Sequence, residues 1–200
     1  MQILPALEYG RYYHIFNRGI NRENIFFEER NYHYFLDLYA KYIEPIAETY
    51  AYCLLGNHFH LLVRIRTEEE QKTFQVLKTW KVLSPTQQFS NLFNAYAKAI
   101  NKAYNRTGGL FQERFGRIPV TSDEYFVHLI HYIHFNPQKH GFVTDFRDYP
   151  WSSYSALASN RPTKLKRDEI LTWFNGREMF KSHNELVDEK GIAKLIQEAE

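Results

Sequence analysis

The stretch that most constrains this chain is GNHFHLLV at residues 56–63. Side chains alternate across a β-strand, so His58 and His60 share one face and Phe59 takes the opposite layer. Two imidazoles roughly 6–7 Å apart along a strand can converge on one metal ion. The same spacing also suits two polar residues on the wet face of a half-buried strand, and the pair alone does not choose between them. Gly56-Asn57 signals a tight turn, so residues 49–55 and 58–66 read as the two arms of a hairpin.

Around that hairpin the chain alternates strand-like and helix-like segments. Residues 11–17 (RYYHIFN) read as a first strand, closed by Asn17-Arg18-Gly19. A helix capped by Asn31 runs to about residue 42, with Phe35, Leu38, Tyr39 and Tyr42 at helical period. A short helix is expected over residues 71–80. A long one follows, with Ser84 as cap and Pro85 in the first helical position. Residues 110–120 read as a fourth strand. Ser122, Asp123 and Glu124 open a further helix, which Asn136-Pro137 is expected to stop. On that helix Tyr132 and Asn136 are neighbours one turn apart. After residue 155 the composition changes, and short helices are expected around residues 168–174, 177–183 and beyond 185. The chain therefore divides into a domain of residues 1–155 and a helical C-terminal extension of residues 156–200. The fold class is α+β: a ferredoxin-like αβ sandwich, an antiparallel sheet with helices on one face.

Composition narrows the chemistry. Two hundred residues suffice for one domain with extensions. The single Cys53 excludes an intrachain disulfide and a cysteine-based zinc cluster, and reads as a buried inert thiol. No signal peptide is visible, and no apolar run approaches the ~20 residues that span a bilayer, so a cytoplasmic protein without membrane association is expected. The formal net charge is only +2, yet residues 71–120 carry eight basic side chains against Glu113 alone. Such a block suits a polyanion, and equally a solvated helix face.

Several stretches, in this order, resemble the REP-associated tyrosine transposases, single-tyrosine transposases of the HUH endonuclease superfamily. They are YHIFNRG (13–19), GNHFHLLV (56–63), GLFQERF (109–115), HYIHFNPQKHG (131–141) and YPWSSY (149–154). The resemblance implies DNA transposition: cleavage and rejoining of single-stranded DNA through a 5′-phosphotyrosine, with a divalent metal. Carried over by position, His58 and His60 match the metal-binding histidines and Tyr132 the nucleophile. Asn136 falls where relatives place a third ligand, often Gln. Histidine and oxygen ligands suit Mg²⁺, Mn²⁺ or Zn²⁺, and completion by water and phosphate favours Mg²⁺ or Mn²⁺. His131 and His134 flank Tyr132 on other faces of the helix, and His14 reads as a packing residue. Arg18, Arg22, Lys98, Lys102, Arg106, Arg114 and Arg117 are the candidate DNA contacts. The implied partners are single-stranded DNA and DNA hairpins, repetitive extragenic palindromes among them, bound by a monomer or a homodimer. A hairpin-binding protein of the same fold that does not cut is the alternative. An unrelated H-x-H metalloenzyme fits poorly, because an amidohydrolase barrel needs ~250 residues.

Overall fold

The computed structural model describes residues 6–74 and 82–182. Its framework is four strands, β1 (Tyr12–Arg18), β2 (Ala47–Leu55), β3 (His58–Ile65) and β4 (Gly116–Pro119), joined antiparallel in the order β2-β3-β1-β4. Helices α1 (Glu29–Tyr42) and α3 (Pro85–Ala103) are the connections that the ferredoxin-like order requires, and α2 (Glu68–Phe74) follows β3. The α+β class and the antiparallel sheet are as the sequence implies.

Helices cover both faces of the sheet, not one. Tyr13, Ile15, Phe59, Leu61 and Val63 pack with Phe35 of α1 and Phe89, Leu92, Phe93 and Tyr96 of α3. The other face offers Phe16, Cys53, Leu55 and Leu62 to α4 (Asp123–Lys139), through Phe126, Leu129, Ile130 and Ile133. The physical reason lies in the pleat: successive residues of β1 and β3 are apolar, so both faces have surface to bury and a single helical layer would leave one wet. Short helices α5 (Tyr154–Ala158), α6 (Arg167–Trp173) and α7 (Arg177–Ser182) follow. Leu157, Ile170, Phe174 and Phe180 add to the core under α4. Cys53 is buried and free.

Several expected boundaries shift. Asn31 sits in the first turn of α1 instead of capping it: Glu28 is the cap, and the two side chains cap reciprocally. The short helix expected over residues 71–80 starts earlier, as α2, and residues 75–80 of that expectation lie outside the described residues. The fourth strand is only Gly116–Pro119, although Phe111 makes one bridge to Gly19. Ser84 and Pro85 begin α3 as the sequence implies.

The most consequential shift is at Pro137, which does not stop α4 but lies inside it. The stop is Gly141, at φ +71°. The Phe142 amide donates to the Pro137 carbonyl (2.8 Å) and the Gly141 amide to the Gln138 carbonyl (3.0 Å), a Schellman closure that needs a left-handed residue between them. Pro137 cannot donate to the Ile133 carbonyl and its ring crowds that turn, so α4 carries a local cost there and still continues to the closure at Gly141. The extra turn carries Lys139 and His140 to the end of the helix that faces the histidine pair.

Candidate active site

The β2–β3 hairpin turn, Gly56-Asn57, is held from outside. The Ile25 and Phe26 amides both donate to the Gly56 carbonyl (2.8 and 2.9 Å), and the Gly19 amide donates to the Asn57 carbonyl (2.8 Å). Gly19 is required there: a Cβ would lie 2.0 Å from the Glu23 carbonyl oxygen. The NRG stretch that ends β1 thus braces the turn from which the histidine strand departs.

His58 and His60 emerge on the α4 side with ring centroids 5.3 Å apart. They are 7% and 5% exposed. Burial, reinforced by the neighbouring His140 and then Arg18, pushes His58 down to about 3. Burial, with His14, His58, His140 and Arg18 in support, holds His60 well below the usual histidine value. Both are therefore neutral at physiological pH, the state in which imidazole binds a cation. His58 Nδ1 lies 2.6 Å from Asn57 Oδ1. An amide oxygen only accepts, so Nδ1 carries the proton and Nε2 keeps a lone pair. His60 Nδ1 pairs with His14 Nε2 at 3.0 Å.

The helix α4 closes the site with residues four apart, which lie on one face. The Tyr132 ring stands edge-on to His60, centroids 5.4 Å apart. The His140 ring stands edge-on to His58 at 5.0 Å. Asn136 falls between them in the helix. Its Nδ2 donates to the Tyr132 carbonyl (2.7 Å), while its fully buried Oδ1 has no hydrogen-bond partner among the described residues. A buried acceptor without a donor, on the helix whose Tyr132 and His140 rings meet the histidine pair, is the kind of atom a divalent cation would satisfy. Among the described residues no group of three or more His, Cys, Asp or Glu is placed to hold a metal. Two histidines and an amide would leave the remaining positions of such a cation to other oxygen ligands. The Lys139 ammonium sits 5.4 Å above the Tyr132 ring.

No family model matches the chain. It is 31% identical over 111 residues to a Haemophilus influenzae protein named as a REP-associated tyrosine transposase, a match over 54% of this chain and 58% of that protein. The chain thus spans less than two thirds of the length of that curated relative. A solved structure of a REP-associated tyrosine transposase bound to a REP hairpin superposes with a TM-score of 0.57 at 17% identity, over 81% of this chain and 88% of that one. The chain is thus similar to a REP-associated tyrosine transposase over part of its length, and shares the fold of another.

Within this fold the expected basic residues take different places. Arg18 ends β1 directly opposite His58, and its charge helps depress His58, His60 and His140. Arg22 is exposed beside the hairpin, its carbonyl accepting from Asn57 Nδ2 at 3.3 Å. The others are more dispersed. Lys98 and Lys102 are exposed on α3, which covers the opposite face of the sheet. Arg106 is ion-paired to Glu23 at 2.8 Å and stacks over Phe27. Arg117 lies over Phe115 and donates to Thr86 Oγ1 of α3 (3.3 Å), and Arg114 is exposed before β4. Lys78 and Lys81 of the basic block lie outside the described residues.

His134 and His131 turn towards the C-terminal helices. His134 Nε2 pairs with Ser153 Oγ at 2.7 Å, and His131 packs near Phe174. The residues that sequence reasoning missed are Asn57, Lys139, His140 and the partnership of His14 with His60. A four-residue step beyond Asn136 would have found His140, had Pro137 not been read as the end of the helix. A cavity of about 760 Å³ lies between α1, β2 and residues 163–166, but Glu44 and Glu48 already pair with Lys164 and Lys166 there.

No helix among the described residues is long and apolar enough to cross a membrane.

Proposed function

We propose that the chain is a metal-dependent transposase that cuts and rejoins single-stranded DNA beside a hairpin, repetitive extragenic palindromes being the substrate class. The observation that carries this reading is the meeting of Tyr132 with His60 at 5.4 Å, one helical turn from the unpartnered Asn136 oxygen.

In this reading the Tyr132 phenol loses its proton and its oxygen attacks phosphorus. The bond to the 3′-oxygen breaks, that oxygen takes up a proton, and a 5′-phosphotyrosine remains. Reversal rejoins a strand without a nucleotide cofactor, because the ester conserves the phosphodiester bond energy. The His58 and His60 Nε2 atoms and Asn136 Oδ1 would hold Mg²⁺ or Mn²⁺, which supplies charge neutralisation at the phosphate. Lys139 above the phenol ring favours the phenolate electrostatically. The bond from Asn136 Nδ2 to the Tyr132 carbonyl couples the positions of ligand and nucleophile. Arg18 and Arg22 flank the approach to His58 and suit the backbone of the strand to be cut.

The histidine pair and Tyr132 meet within a single chain, which supports a monomer acting alone. Residues 1–155 form the catalytic domain in this account, and 156–200 extend it. A second reading, a protein that binds hairpins without cutting, draws on the 7% exposure of Tyr132, since a phosphate must displace what covers it.

A hairpin oligonucleotide with a single-stranded flank separates the two. Incubation with Mn²⁺ is expected to give a nicked strand and a covalent adduct on denaturing gels, both lost in Tyr132→Phe. Tight binding without adduct in the wild-type protein supports the second reading instead.

A further inference from the structure

The two histidines of the pair are oriented by different partners. His58 donates from Nδ1 to an amide oxygen that can only accept. His60 meets His14, a fully buried imidazole on the neighbouring strand, with Nε2 of His14 3.0 Å from Nδ1 of His60. Two neutral imidazoles at that distance share one proton, and which ring holds it decides what His60 presents to the site. If His14 donates, His60 carries its own proton on Nε2 and cannot bind a cation. If His60 donates, its Nε2 offers a lone pair and His14 carries a proton on Nδ1. That Nδ1 is buried with no hydrogen-bond partner among the described residues. A residue present only to fill the layer between β1 and α4 has no need of a ring whose second nitrogen goes unsatisfied. An apolar side chain would fill the same space at lower cost.

We propose that His14 is the positioning residue for His60: it accepts the His60 Nδ1 proton, and so fixes both the tautomer and the ring orientation in which Nε2 faces the cation. Its role matches that of Asn57 for His58. Because an imidazole can donate as well as accept, the His14–His60 pair has two proton arrangements, and cation binding selects the one with His60 as donor. The same ring stands 6.2 Å from that of Tyr132, so the His60 orientation is set within reach of the nucleophile.

This inference rests on the reading of His58 and His60 as metal ligands, and the test separates the two. Mn²⁺ affinity is measured by electron paramagnetic resonance of the free ion, without DNA, on the wild-type protein and the variants His60→Ala, His14→Leu and His14→Gln. His14→Leu is expected to weaken binding roughly 10–100-fold, as loss of a ligand's hydrogen-bond partner does. His14→Gln, whose amide oxygen can accept from Nδ1, should recover most of the loss. Wild-type affinity in His14→Leu, with binding abolished in His60→Ala, overturns the role of His14 alone. Wild-type affinity in His60→Ala overturns the metal site itself. Since His14 is buried and its replacement can unfold the chain, the wild-type protein supplies a second readout. Long-range ¹H–¹⁵N correlation at saturating Mg²⁺ should show His60 protonated on Nδ1, and protonation on Nε2 contradicts the proposal.

Discussion

The two faces of β3 are almost equally buried and do opposite work. Phe59, Leu61 and Val63 are at most 1% exposed and enter an apolar layer with α1 and α3. His58 and His60 are only slightly more exposed. Burial depth therefore does not distinguish core from site on this strand. What differs is the neighbour: apolar side chains need only be covered, whereas a buried imidazole needs a partner for each polar atom. Asn57, His14 and the residues of α4 meet that need in part. At Asn136 Oδ1 the need goes unmet among the described residues, and in the proposed reading a cation meets it. One face contributes stability and the other gives some up for reactivity.

Substituting adjacent residues of β3 is the strongest way to break this contrast. Phe59→Ala should destabilise the fold by about 3–5 kcal/mol, as expected for an aromatic truncated in a packed core. The loss is read as a lower denaturant midpoint. His60→Ala should lower the midpoint far less while abolishing strand cleavage. Equal stability losses in the two variants would mean that both faces are simply core.

The contrast extends to pH. His134, on the side of α4 that faces the C-terminal helices, is pushed down to about 3 by burial, with His131 adding to the effect. Its folded value lies below the ordinary 6.5, so the unfolded chain takes up the proton first as pH falls. The stability from burying it neutral against Ser153 is fully present above about 6.5 and is lost towards 3. The slope is at most about 1.4 kcal/mol per pH unit from this one group. Denaturant titrations at pH 7 and pH 5 should show the decline, and His134→Gln should reduce it, leaving the share of the other buried histidines, His58 and His60 among them.

The smallest expected effect concerns the far end of the α4-side face. The Tyr50 hydroxyl donates to Glu169 Oε2 at 2.6 Å, tying β2 to α6. Tyr50→Phe should lower stability by about 1 kcal/mol. It should also speed proteolysis within residues 163–175, with DNA cleavage unchanged. A loss of cleavage would show that the C-terminal helices reach the site, sharpening the boundary between the two roles of this face.

Much of this was legible in the sequence because it rests on period. Alternation on a strand separates His58 and His60 from Phe59, and a four-residue step joins Tyr132 to Asn136. Neither depends on distant parts of the chain. The helix layer beyond the sheet was not legible, because both faces of β1 and β3 are apolar and the sequence does not say which helix covers which. The end of α4 was misread for a local reason: Pro137 is a strong stop signal, but the left-handed Gly141 four residues later closes the helix. His14 was set aside because a lone histidine in a strand is ordinarily packing, and only the β1–β3 register brings it to His60. The local partners of Arg106 and Arg117, namely Glu23, Phe27 and Thr86, are far away in sequence and are seen only in the fold.

The central claim is that the α4 face of the sheet, not the α1–α3 face, forms a covalent bond with DNA. Peptide mapping of the trapped adduct by mass spectrometry tests it most directly. After reaction of the wild-type protein with a hairpin oligonucleotide and Mn²⁺, the account predicts one peptide carrying a 5′-linked nucleotide, with the modification on Tyr132. A nucleotide on any other of the chain's tyrosines, or nicked DNA with no adduct at all, would contradict it.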